Sequence, residues 1–159
     1  MKFSKIGLEE ALEQATKAFG PLCNPSAISD ALNGVSLPTR ATANSAGYDF
    51  YSPFAVEAKA GQTVRIPLFV KVEDMPKDAV LLIFNRSGLS LRKGLRLDNG
   101  VGVVDADYRL GIGFQATATE DISIKANERI CQGIFVRYLT VDEDHAKGER
   151  KGGFGSTGR

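Results

Sequence analysis

Near the start of the chain, Leu8, Ala11, Leu12, Ala15 and Phe19 recur at helical spacing and predict an amphipathic helix that Gly20-Pro21 ends. Residues 21–37 are mixed, with Pro25 and Pro38 bracketing a short helical piece around Ser29 to Leu32. From about Pro38 the pattern changes to short apolar runs cut by Gly, Asn and Asp. Val64, Ile66, Leu68, Val70 and Val72 alternate with other residues, as in a half-buried strand, and Pro67 within the run marks an edge or a bulge. Ala79 to Phe84 is continuously apolar and predicts a strand covered on both faces; Ile122 to Ile124 and Ile130 to Val136 predict two more. Many short strands separated by turn residues predict an all-β sandwich or barrel. No internal repeat is visible.

The 159 residues are 43% hydrophobic, 25% charged and 8% aromatic, ordinary proportions for one globular domain. Lys and Arg number 20 against 19 Asp and Glu, so the chain lacks the basic surplus that direct nucleic-acid binding needs. Two cysteines, Cys23 and Cys131, make no disulfide framework. The single His145 makes a zinc centre or a Ser-His-Asp triad improbable, which leaves carboxylate or metal-ion chemistry for any hydrolysis. Glu9, Glu10 and Glu13 interrupt the N-terminal segment where a secretion signal would be apolar, and no run reaches the roughly 18–20 apolar residues of a membrane span. The expectation is a soluble, cytoplasmic protein.

Several segments carry candidate chemistry. Asn85-Arg-Ser-Gly follows the apolar strand and offers a guanidinium, a hydroxyl and unhindered amides at one place, as for an anion; an ordinary turn with a solvated Arg86 reads equally well. In Asn99-Gly-Val-Gly-Val-Val-Asp105-Ala-Asp107-Tyr108-Arg109, Asn-Gly predicts a hairpin turn leading into two acids at i and i+2 on one strand face. One of these acids could activate water beside a phosphate, or both could be surface acids paired to Arg109. Asp49 lies among apolar neighbours and Gln132 inside a strand, where structural hydrogen bonding competes with a catalytic role. Of 17 glycines, six lie between Gly88 and Gly113 and five between Gly148 and Gly158. Gly153 to Gly158 spells G-x-G-x-x-G, but the chain ends one residue later, leaving no helix for a dinucleotide fold. The tail is thus either a solvated appendage or a lid that closes over phosphates while Phe154 stacks on a base.

Taken in order, these segments resemble the trimeric dUTPases. Ala46-Gly-Tyr-Asp49-Phe is similar to the family's first motif, Arg86-Ser-Gly-Leu-Ser90 to the second and Asn99 to Arg109 to the third. Arg129-Ile-Cys-Gln132-Gly-Ile-Phe135 is similar to the fourth and Gly152 to Gly158 to the fifth. The resemblance implies a jelly-roll-like β domain at 38–140, a C-terminal lid at 141–159 and an added helical segment at 1–37. It also implies a homotrimer with active sites shared between subunits. The implied reaction takes dUTP and water to dUMP and pyrophosphate with Mg²⁺ on the phosphates, limiting uracil incorporation into DNA and supplying dUMP for dTMP synthesis.

By the same resemblance Asp105 is the base that activates water, and Asp49 holds water around the metal and helps orient the nucleophile. Arg86, Ser87, Gly88 and Gln132 bind phosphate oxygens. Asn99, Gly102 and Val104 form the uracil slot, and Tyr108 packs on deoxyribose. Phe154 and Gly155 cover the base, Ser156 and Thr157 take the β and γ phosphates, and Arg150 takes the γ phosphate. The chain departs from the family pattern at Leu110-Gly111, where Gly-Glu is usual, at Asn85, where proline is common, and at Arg150, one residue closer than usual to Gly152. Residues 1–37 have no counterpart in the minimal domain and are a candidate site for a protein partner. Two alternatives share the fold: a nucleotide-switched regulator, and a dCTP deaminase, whose glutamate is missing from Gly111 to Thr117.

Overall fold

The computed structural model describes residues 1–148, apart from the Leu91 side chain. The chain begins with a strand that the apolar pattern did not announce, β1 (Lys2–Lys5), followed by α1 (Leu8–Phe19) and α2 (Pro25–Gly34). Short strands β2 (Thr39–Arg40), β3 (Tyr48–Tyr51), β4 (Val56–Ala58), β5 (Thr63–Pro67), β6 (Val70–Glu73) and β7 (Ala79–Asn85) follow. After the one-and-a-half-turn α3 (Ser87–Arg92) come β8 (Leu95–Leu97), β9 (Gly102–Asp105), β10 (Gly113–Ala118), β11 (Ile122–Ile124) and β12 (Arg129–Arg137). The fold is all-β with few helices, as the turn-cut apolar runs predict. No helix among the described residues is long and apolar enough to cross a membrane.

Antiparallel pairing throughout produces a five-stranded sheet in the order β2-β3-β12-β7-β9, a three-stranded sheet β5-β10-β8, and the pairs β1-β6 and β4-β11. Phe50, Ile66, Leu81, Leu95, Phe114, Ile124 and Ile130 are at most 1% exposed and form the centre of the main core. On β7, Leu81 and Ile83 point into that core while Leu82 and Phe84 are only half-buried, so one face is fully covered and the other only partly.

Where the sequence alone suggests one strand over 64–72, the chain breaks. β5 ends at Pro67, the buried Leu68 and Phe69 turn with Phe69 at φ 56°, and β6 begins at Val70. The break moves the chain from one sheet to another: β5 pairs with β10, and β6 pairs with β1. Alternation of side chains continued across the turn, which is why the pattern looked like a single strand.

α2 is longer than the Ser29 to Leu32 piece read from the sequence because Asn24-Pro25 starts it. The Asn24 side chain accepts from Ser26 N–H at 2.9 Å and Pro25 occupies the first turn, where a missing N–H costs nothing. α1 and α2 bury Ala11, Ala15, Ile28 and Leu32 against Ile6, Val35 and Phe69 in a second apolar cluster. Residues 1–37 thus cover the β domain with one strand and two helices, and Phe3 of β1 reaches the main core edge-on to Tyr48 and Phe50 at 5.3 and 5.4 Å between centroids.

One packing contact explains a glycine in the fourth motif. A Cβ on Gly133 of β12 would lie 2.8 Å from Leu81 Cδ1 and from Phe50 Cε2, both in the core. Gly133→Ala is expected to destabilise the fold by about 1–3 kcal/mol through overpacking, which at about 2–4 °C per kcal/mol for a chain of this size is visible in a thermal melt. An unchanged Tm would show that the β3-β12-β7 sheet is less tightly packed than described.

Candidate active site

Strand register brings the first, second and fourth motifs together. Asp49 on β3 lies opposite Gln132 on β12, and Cys131 lies opposite Asn85 at the end of β7, so the chain turns into α3 beside both acid and amide. Asp49 is 8% exposed and holds two guanidiniums: Arg86 Nε forms an ion pair with Oδ1 at 2.8 Å, and Arg129 Nη1 donates to Oδ2 at 3.1 Å. Arg86 Nη1 also donates to the Arg129 carbonyl at 3.3 Å. Gln132 Nε2 donates to the Asn85 carbonyl at 3.2 Å, which fixes the amide across the mouth of the site. Ala41, Ser45, Gly47, Asp49, Arg86, Ser87, Gly88 and Gln132 line a cleft of ≈190 Å³. Two guanidiniums against one carboxylate leave a positive surplus, and Ser87 and Gly88 in the first turn of α3 present amides that have no acceptor within the helix. The cleft is suited to a polyanion.

Arg129 is a member of this cluster that the sequence reading quoted within a motif without assigning it a role. Its spacing from Gln132 gave no sign that it shares Asp49 with Arg86, since that contact is made across strands. The 41–47 loop was likewise unassigned. Its small residues leave room at the cleft, and Arg40 Nη1 shapes it by donating to the carbonyls of Ala43 and Ser45 at 2.9 and 3.1 Å.

Asn99, Gly102, Val104 and Tyr108 gather elsewhere, with Ile83, Leu97 and Gln115, around a second pocket of ≈580 Å³. That volume falls within the range of small-molecule sites. The Asn99-Gly100 turn does not close a hairpin ladder: β8 pairs with β10 and β9 with β7, so the turn carries the chain between sheets. Asp105 ends β9 and Asp107 falls in the following turn, so the two acids do not share a strand face. Tyr108 donates its hydroxyl to the Gly111 carbonyl at 3.1 Å, and its ring borders the pocket. Asp98, in the lining of the same pocket, accepts from Thr117 Oγ1 and Gln115 Nε2 at 2.7 and 3.2 Å.

Register also shows what one chain keeps apart. Gln132, opposite Asp49, is level with Phe84, whereas Asp105 is level with Val80 on the other side of β7. Three strand spacings across and four residues along separate the two carboxylates by on the order of 20 Å. The proposed tail residues Arg150, Phe154, Gly155, Ser156 and Thr157 lie outside the described residues.

Among the described residues no three His, Cys, Asp or Glu side chains group as a metal cage. Asp49 nevertheless accepts one hydrogen bond, from Arg129 at Oδ2, and pairs with Arg86 at Oδ1, so acceptor capacity remains on the carboxylate for a metal-held water. A hard cation carried by triphosphate oxygens therefore fits the donors present. Cys131 supplies no nucleophile: burial raises its thiol far above the usual range, the charge of Asp49 raises it further and Arg86 partly offsets both. Iodoacetamide is expected to modify the half-buried Cys23 and spare Cys131 in the folded chain, with both labelled after denaturation. Modification of Cys131 in the folded protein would contradict its burial.

Comparison with known proteins identifies the family. A family model described as dUTPase matches residues 33–158. A deoxyuridine 5'-triphosphate nucleotidohydrolase from Lactococcus lactis is 37% identical over 135 residues, covering 79% of this chain and 89% of the relative. One from Pectobacterium carotovorum is 36% identical over 132 residues, covering 77% and 87%. Among solved structures, a dUTPase from Streptococcus mutans has a TM-score of 0.62 at 37% identity, covering 67% of this chain and 88% of that one. With the motifs in order, the strands in place and the match running over most of the sequence, the chain belongs to the dUTPase family.

Proposed function

We propose that this protein hydrolyses dUTP to dUMP and pyrophosphate, a reaction that suits a cytoplasmic location. The observation that carries the reading is the positive cleft around Asp49, Arg86 and Gln132, together with a separate nucleoside-sized pocket at Tyr108. A substrate with a base at one end and a triphosphate at the other needs both. Because a single chain holds Asp105 on the order of 20 Å from Asp49, the complete site joins the cleft of one chain to the Asp105–Tyr108 segment of another. A closed ring of three copies completes three such sites.

In the assembled site, residues 99–104 hold uracil, using backbone groups that match its carbonyls and N–H and leave an amino group at C4 unpaired. The Tyr108 ring forms a wall under the sugar, its hydroxyl already engaged with Gly111. Arg86, Ser87, Gly88 and Gln132 receive phosphate oxygens. Asp105 takes a proton from water as the water oxygen bonds to the α-phosphorus and the bond from that phosphorus to the α–β bridging oxygen breaks, releasing pyrophosphate. Mg²⁺ on the phosphate oxygens would neutralise their charge, its water shell steadied by Asp49. The tail at 141–159 supplies the lid of this reading, with Arg150, Phe154, Gly155, Ser156 and Thr157 on base and phosphates. The deaminase alternative finds no glutamate on β10, which reads Gly113-Phe-Gln-Ala-Thr-Ala118.

Product analysis with dUTP, dCTP, dTTP and UTP, with Mg²⁺ and then with chelator, tests the reading. The expected result is dUMP and pyrophosphate from dUTP, lost on chelation and far slower from the others. Ammonia from dCTP, or binding of dUTP without turnover, would overturn it.

A further inference from the structure

The family departure at Leu110-Gly111 is occupied by the added N-terminal helix. Gly111 is buried, and both of its hydrogen-bonding groups are held from α1. Its N–H donates to Glu10 Oε1 at 2.6 Å, and its carbonyl accepts from Gln14 Nε2 at 3.0 Å. Gln14 Nε2 also faces Glu10 Oε1 at 3.3 Å. Two acceptors on one side fix which end of the Gln14 amide points there, even though its Oε1 is left buried without a partner. The same Gly111 carbonyl receives the Tyr108 hydroxyl. One peptide oxygen therefore joins α1 to the residue that walls the larger pocket.

The approach of the Gln14 amide depends on the missing Cβ. A Cβ at position 111 would lie 2.6 Å from Gln14 Nε2 and 2.9 Å from its Oε1. α1 itself is a firm support, with Ala11 and Ala15 fully buried beneath it. Between Tyr108 and Gly111 the chain has only Arg109 and Leu110, both exposed, so packing at those two positions does little to hold the turn.

We propose that Glu10 and Gln14 are positioning residues: they hold Gly111, Gly111 holds the Tyr108 ring, and the added helix thereby sets discrimination between 2′-deoxy and 2′-hydroxy nucleotides. This rests on the reading that Tyr108 packs against the sugar. A ring held from below keeps its face close to C2′, where a hydroxyl has no room. A ring released from that support opens the space and loses its grip on the deoxyribose.

The test compares kcat/KM for dUTP and UTP in full-length variants. Gln14→Ala and Glu10→Ala are expected to reduce the dUTP:UTP ratio about tenfold, with most of the change in KM for dUTP, as expected when a binding wall moves by a fraction of an ångström. Glu10→Gln, which still offers an oxygen to Gly111 N–H, is expected to retain the ratio. Gly111→Ala, which displaces the Gln14 amide while leaving the sequence of α1 unchanged, reads the same contact should a helix variant not fold. Tyr108→Ala separates the two levels. If it leaves the ratio unchanged, Tyr108 is not at the sugar and both readings fall. If it collapses the ratio while Gln14→Ala and Gly111→Ala lower only Tm, the positioning role alone is wrong.

Discussion

Asp105→Asn is expected to reduce kcat on dUTP by about 10²-fold or more, within the range that a general base contributes, while dUTP continues to bind. The substitution preserves shape but removes a group able to take a proton from water. Asp105 is the last residue of β9, paired across to Val80, so an isosteric amide leaves the β7–β9 ladder in place. A single-turnover measurement separates the two effects: the chemical step slows, and the dUTP concentration giving half-saturation changes little. Undiminished turnover would remove Asp105 from the role of base.

Arg86→Ala is expected to lower both turnover and stability. It withdraws a guanidinium from the phosphate cleft and leaves Asp49, 8% exposed, paired to Arg129 alone among the described ion pairs. Loss of one charge-stabilising donor in a transition state costs about 10²–10³ in rate, and a poorly satisfied buried carboxylate costs about 1–3 kcal/mol of stability. kcat/KM should fall by at least about 10², with a measurably lower Tm. Arg86→Lys restores the charge without the planar fork that spans Asp49 and the Arg129 carbonyl, so it should rescue Tm better than rate. A variant with full activity and lower Tm would make Arg86 a purely structural partner of Asp49.

Much of the strand content was legible because β7 and β11 are short apolar runs begun after an Asp, and β12 is apolar through most of Ile130 to Val136. The break at Leu68-Phe69 was not, because alternation survives a turn that changes sheet. β1 was hidden by its length: Lys2 to Lys5 contains one large apolar residue, Phe3, and only pairing with β6 makes it a strand. Pro25 looked like a boundary, although after Asn24 it begins a helix. For the site, Asp49, Arg86, Ser87, Gly88 and Gln132 were found from their motifs and do share one cleft. Arg129's part in it depends on a cross-strand contact, and the link from Gln14 to Tyr108 joins positions far apart in sequence. Neither leaves a local signature.

The separation of Asp105 from the Asp49 cleft within one chain makes subunit mixing the most direct test of the whole account. Asp105→Asn and Arg86→Ala proteins, each nearly inactive, are unfolded together, refolded in equal amounts and assayed for pyrophosphate from dUTP. If each site takes its cleft from one chain and Asp105 from another, random assembly leaves about a quarter of sites with both native residues. Activity should then return to about that fraction of wild type, while either variant refolded alone stays inactive. Mixed oligomers with no activity above the parents would contradict it, placing Asp105 and Arg86 in the same chain's site or outside the reaction.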